Sequence, residues 1–246
     1  MNLKSIYTKI SSGSSFASLL LTLTQSIIAL FFILFDFLFS KKLSVVEFGY
    51  WKEMFFLLNL GIPLLSFGIP EGYKYYLAKE GKHKIMFSNT LMSFLVIGFF
   101  LSLLFVLVNL LHYFQWIDLD KYYLISLLFP LAYLVFNVNK TLRYGYINEK
   151  KVLIHTKITL LYYVLTLVLT LVFYLNIDKI KSQFLYIGLL FFIALYGFPL
   201  YALMRKNNLV LKTKWLNKEF LSKVLKQGLP LYMATFIGTI SVNLDI

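Results

Sequence analysis

A chain of 246 residues that is 59% hydrophobic, only 14% charged and has a mean hydropathy of +0.75 is not an ordinary soluble domain, where about a quarter of residues are charged. Its formal charge of +13 would point to nucleic acid in a soluble protein. Here the basic residues sit in short segments between long apolar runs, the distribution that sets membrane topology, and no nucleic-acid partner is expected. With no cysteine, the chain has no disulfide, no Cys-ligated zinc and no thiol chemistry.

Apolar runs of about 18 or more residues read as transmembrane helices, and they recur along the sequence. The expected fold is all-α: a polytopic membrane helix bundle with six complete transmembrane helices and the start of a seventh. The first run, about 16–39, is too long for a signal-peptide core and lacks a small-residue cleavage site. The second, about 48–69, contains Gly61 and Pro63. The third to fifth cover about 86–111, 122–142 and 152–175, and the sixth, about 184–204, contains Pro199. All are continuously apolar rather than alternating, which excludes the strands of a membrane β-barrel.

The basic segment 205–228 holds an amphipathic stretch. Asn217 suits an N-cap. Phe220, Leu221, Val224 and Leu225 then share one face, opposite Lys218, Glu219, Ser222, Lys223 and Lys226. Such a helix lies on the inner membrane surface. The run 229–246 follows, starting at Pro230, and has 18 residues with no basic stop. It is expected to be the truncated first helix of a second half. The chain thus divides into a six-helix lobe (1–204), a cytoplasmic amphipathic linker (205–228) and the seventh helix (229–246).

The charges orient this layout. Of the 24 basic residues, 18 fall at the N-terminus and in the second, fourth and sixth loops, and 6 on the other side. Lysine and arginine collect on the cytoplasmic face, so the N-terminus is expected there. Tyr50, Trp51, Tyr113, Trp116, Tyr122 and Tyr123 gather at the outer ends, and Tyr73, Tyr75, Tyr76, Tyr144 and Tyr146 at the inner ends, as in interfacial aromatic belts.

No enzyme pattern is visible, so no catalytic residue, metal or cofactor is expected. His83, His112 and His155 lie far apart in sequence, without metal-ligand spacing. Asp118 and Asp120 fit a solvated turn. Charge inside a span is more informative, because it costs about 2.5–3.5 kcal/mol at the centre and so faces a cavity or a partner. Asp36 lies near the outer end of the first span, Lys52 and Glu53 lie one turn into the second, and Asp245 lies in the seventh. These four are the candidate cavity or gate residues, and the short first loop would let Asp36 and Lys52 meet. Lys74, Lys140 and Arg143 lie at headgroup depth at the inner face and are the candidate ligands for a lipid phosphate. Ordinary membrane lipids would use the same cations.

The first loop reads Leu43-Ser44-Val45-Val46-Glu47-Phe48-Gly49-Tyr50, and the second span closes on Phe67-Gly68-Ile69-Pro70-Glu71-Gly72-Tyr73-Lys74-Tyr75-Tyr76. This resembles the start of the polysaccharide repeat-unit (O-antigen) flippases, within the multidrug/oligosaccharidyl-lipid/polysaccharide flippase superfamily. Gly228-Leu229-Pro230-Leu231 followed by Asp245 resembles that family's seventh helix. The resemblance implies the N-lobe of a two-lobed bundle in the bacterial cytoplasmic (inner) membrane. It implies a transmembrane flippase that moves undecaprenyl-diphosphate-linked oligosaccharide units by alternating access, without covalent chemistry. Polysaccharide polymerase and glycosyltransferases would then be partners. The first span has no arginine, unlike the related lipid II flippases. A cation-coupled multidrug or small-molecule exporter of the same superfamily is the second reading, and a membrane-embedded sugar-lipid enzyme the third. A lone lobe would enclose no complete cavity and is not expected to transport by itself.

Overall fold

The computed structural model describes residues 14–80, 83–116, 123–148, 152–180 and 218–244. These residues are almost entirely helical and contain no strand, which agrees with the expected all-α class. The helices are α1 (Ser14–Ser40), α2 (Val45–Leu65), α3 (Ile69–Glu80), α4 (His83–Tyr113), α5 (Tyr123–Asn148), α6 (Val152–Ile180) and α7 (Lys218–Leu244).

The loop that carried the family resemblance has a local structural role. Ser44 is the N-cap of α2, and it forms a capping box with Glu47. The Ser44 backbone N–H donates to Glu47 Oε2 at 2.8 Å, and the Glu47 N–H donates to Ser44 Oγ at 3.3 Å. Two backbone donors that the first turn cannot satisfy internally are thereby paired. At its other end α2 stops two residues after Pro63, which lies inside the helix. Phe67 (φ 49°) and Gly68 (φ 71°) then adopt left-handed backbone conformations. Two such residues in succession cannot continue a right-handed helix, and α3 leaves at 52° to α2.

Two described helices are long and apolar enough to cross a membrane, Ile85–Tyr113 in α4 and Leu153–Ile177 in α6, and the bent pair α2–α3 makes a third if it counts as one span. Six complete spans are therefore not reproduced. The expected sixth span, 184–204, lies outside the described residues. Elsewhere the expected boundaries stop at basic residues, whereas the helices run through them. Lys74 and Lys79 belong to α3, and Lys140 and Arg143 to α5. Lysine and arginine end a membrane span but are good helix formers, so they do not end a helix. For the same reason the amphipathic stretch and the start of the seventh span form one helix, α7, with Pro230 inside it rather than at its start.

Packing gives two tight seams. In the first, α4 lies along α5. Leu134 fills the space over Gly98, where a Cβ would meet it at 3.0 Å. Phe94 meets Tyr133 edge-on, and Phe105 meets Phe129 at 5.2 Å between ring centroids. The buried Asn109 donates to Ser126 Oγ at 2.7 Å across this seam. In the second, α3 packs on α7, with Gly72 against Val224 and the Tyr76 ring edge-on to Phe220. The helix α1 runs beside α6. Leu30 and Ile33 on α1, Phe99, Phe100 and Leu103 on α4, and Leu161 and Leu175 on α6 are all exposed. Apolar exposure on that scale is what a lipid-facing surface presents.

Candidate functional site

Among the described residues, one charged pair joins α1 to α2 and another joins α3 to α5. The first joins Lys52 Nζ of α2 to Asp36 Oδ2 of α1. The expected approach of these residues is therefore present. The sequence puts Asp36 four residues before the end of α1 and Lys52 seven residues into α2, so the short capped turn brings them side by side. Aromatic rings surround the pair. Phe35 stacks on the buried Trp51 at 5.1 Å, and Trp51 meets Phe55 at 4.7 Å. Lysines also lie over rings here: Lys52 over Phe48 at 5.6 Å and Lys41 over Phe37 at 3.9 Å. Glu53 is exposed on the same turn as Lys52. Asp245 lies outside the described residues.

The second pair joins Lys140 Nζ of α5 to Glu71 Oε1 of α3 at 2.6 Å. Its two members differ in exposure: the Glu71 side chain is 11% exposed and that of Lys140 41%. The other carboxylate oxygen, Glu71 Oε2, is buried and has no hydrogen-bond partner. A carboxylate removed from water needs its counter-charge, and Lys140 supplies it. Lys140, 41% exposed, is thus paired with an acidic group of the protein.

Lys74, one turn after Glu71, sits over the Tyr144 ring at 5.3 Å. Burial pushes the Tyr144 hydroxyl up to about 12, the nearby Glu71 charge adds to this, and Arg143 opposes it. Tyr144 therefore remains a neutral ring under the lysine at physiological pH. Arg143 is half-buried on α5 next to Tyr144. The three expected phosphate ligands thus meet at one end of the bundle but differ in state. Lys140 is paired with Glu71, Arg143 is half-buried, and Lys74 is exposed.

A cleft of about 490 Å³ opens beside this group, lined by Glu71, Lys74, Tyr75, Ala78, Lys79 and Leu231. Sequence reasoning missed Glu71 and Lys79 as site residues. The signal for Glu71 was available: it is an acid three residues before Lys74, directly after Pro70, at the end of an apolar run.

Glycines fix how closely the elements around the cleft approach. A Cβ at Gly68 would stand 2.3 Å from Gly228 O, one at Gly72 2.2 Å from Val224 O, and one at Gly228 2.1 Å from Gly68 O. Gly68 and Gly72 are four residues apart, as are Val224 and Gly228, so each pair faces the other across one crossing. Gly68, in the turn before α3, together with Gly72 and Gly228 thus lets the two segments touch backbone to backbone.

Among the described residues no three His, Cys, Asp or Glu side chains converge as a metal site would require. No protein family, curated protein or solved structure matches the chain.

Proposed function

We propose that this chain is a membrane lobe of a flippase for undecaprenyl-diphosphate-linked oligosaccharide units in polysaccharide biosynthesis. In this reading it is a multi-pass protein of the bacterial inner membrane with a cytoplasmic N-terminus. It has six spans, and polymerase and glycosyltransferases act on the same lipid-linked chain. It carries out no covalent chemistry.

The observation that carries the reading is the two cross-helix ion pairs, Asp36–Lys52 near the start of α2 and Glu71–Lys140 just beyond its end. A helix of 21 residues is about 30 Å long, close to the thickness of a bilayer core. In this reading Asp36–Lys52 belongs to the periplasmic side and Glu71–Lys140 to the cytoplasmic side, an orientation supported by the distribution of basic residues. Alternating access requires helices that close at one face while they part at the other, and reversible ion pairs at the two faces suit that. The layout of 43–76, with its capped first turn and its bend at Gly68, is the segment on which the family resemblance rests.

The test is genetic. Deleting the gene should abolish surface polysaccharide and leave lipid-linked units on the cytoplasmic side, and the wild-type gene should restore both. Undiminished polymer in the deletion strain would sink the proposal. If instead the strain loses proton- or sodium-dependent efflux of small molecules, and Asp36→Asn reproduces that loss, the exporter reading replaces it.

A further inference from the structure

We infer that the cleft between α3 and α7 is a headgroup site for an anionic membrane phospholipid, held by Lys74 and Lys79. The inference rests on the membrane reading above, but not on the identity of any transported substrate.

The lining residues of α3 are 71, 74, 75, 78 and 79. Their spacing of i, i+3, i+4, i+7 and i+8 puts them on one helix face, opposite the buried Tyr73 and Leu77. The volume of about 490 Å³ lies within the range of small-molecule sites, which begins at about 300 Å³. All lining residues except Glu71 are exposed, so the cleft opens outward to the surroundings of the bundle. That suits a lipid entering from the bilayer better than a cargo enclosed between lobes.

The charge balance decides what the cleft can hold. An acid in the wall would normally repel an anion. Glu71 is neutralised by Lys140 at 2.6 Å, so Lys74 and Lys79 leave the cleft with two uncompensated positive charges. Two ammonium groups on flexible stems can donate charge-assisted hydrogen bonds to the oxygens of a phosphodiester. The remaining wall, Tyr75, Ala78 and Leu231, offers ring, methyl and isobutyl surface for glycerol and the first acyl carbons. Position agrees: α3 follows directly on the apolar α2, so Lys74 and Lys79 lie at headgroup depth, where anionic lipids bind lysine. The glycine crossing of α3 and α7 holds the two walls together, so the cleft is formed before a lipid arrives.

The test uses the purified full chain in detergent, titrated with phosphatidylglycerol or phosphatidylcholine and read by native mass spectrometry. Phosphatidylglycerol should bind and phosphatidylcholine should not compete. Lys74→Gln and Lys79→Gln should each weaken binding about fivefold, and the double variant about thirtyfold, as expected for about 1 kcal/mol per lysine near the surface. Lys157→Gln, at an exposed lysine of α6, should change nothing. Equal binding of the two lipids, or an unaltered double variant, would overturn the site. Inorganic phosphate competing as strongly as the lipid would overturn the lipid part. Undecaprenyl phosphate displacing phosphatidylglycerol at lower concentration would reassign the cleft to cargo and overturn the inference. Failure of the chain to float with liposomes would instead overturn the membrane reading, so the two failures are separable.

Discussion

Gly72 of α3 touches the backbone of Val224 of α7 so closely that a Cβ on it would stand 2.2 Å from the Val224 carbonyl oxygen. The contact is backbone to backbone, so no side chain can rotate away to make room. It couples the segment bearing Glu71 and Lys74 to the helix that leads onward from the amphipathic stretch. Gly72→Ala should therefore force α3 and α7 apart, at a cost of about 1–3 kcal/mol, the usual range for overpacking. Gly49 supplies the control, because a Cβ there would meet nothing within 4 Å. Gly49→Ala in the interior of α2 should stabilise by about 0.5–1 kcal/mol through backbone entropy. Thermal unfolding in detergent, followed by tryptophan fluorescence, compares the two. Equal shifts of the two midpoints would contradict the crossing.

The Asp36–Lys52 pair is half-exposed, with side-chain exposures of 35% and 50%. Solvent screening limits such a pair to about 0.2–1 kcal/mol. In a double-mutant cycle, Asp36→Asn and Lys52→Gln should couple by no more than that in stability. The Asp36→Lys, Lys52→Asp exchange should restore most of the loss seen in either single reversal. In the proposed flippase, the same exchange should also restore surface polysaccharide. Single reversals that remain fully active would show that the pair is not a gate.

Much of this arrangement is legible in the sequence, and the limits have physical causes. The all-α class follows from unbroken apolar runs. The approach of Asp36 to Lys52 follows from a short turn between two helices. What sequence patterns cannot show is a pairing between residues 69 positions apart, as in Glu71–Lys140. Counting lysines as topology markers made Lys74, Lys140 and Arg143 look equivalent, although only the fold reveals that Lys140 is occupied. Helix ends lie beyond the expected span ends for a different reason. The membrane stops where charge begins, but a hydrogen-bonded backbone does not, so α5 and α7 run on through their basic residues. The role of Gly68, Gly72 and Gly228 in a close crossing depends on which helix lies opposite, and the sequence does not show that.

The capping box at the start of α2 offers a local test. Ser44 Oγ accepts from the Glu47 N–H and donates to Glu47 Oε2 at 2.7 Å. Removing the cap with Ser44→Ala should cost about 1 kcal/mol. Ser44→Asp should be better tolerated as an N-cap, yet it would put a second carboxylate beside Glu47. Ser44→Asp combined with Glu47→Gln should therefore recover more than Ser44→Asp alone. Both effects should appear as shifts in the unfolding midpoint. If Ser44→Ala leaves the midpoint unchanged, the turn is set instead by the packing of Phe39 on Trp51, whose rings stack at 6.3 Å.

The Glu71–Lys140 pair should respond asymmetrically to the loss of either partner. Lys140 is 41% exposed, so when Glu71→Gln removes its counter-charge, water can solvate the ammonium. That change should cost about 1 kcal/mol or less, as for an exposed pair. Lys140→Met is different, because it strands a carboxylate that is only 11% exposed and already has one unpartnered oxygen. Breaking a buried pair from that side costs about 3–5 kcal/mol when burial is complete, and the partial exposure here places the expectation near the lower figure. The double variant Glu71→Gln, Lys140→Met should recover most of the loss, since no ion is left unpaired. If Lys140→Met alone is as mild as Glu71→Gln, Glu71 must be reached by water or by another cation.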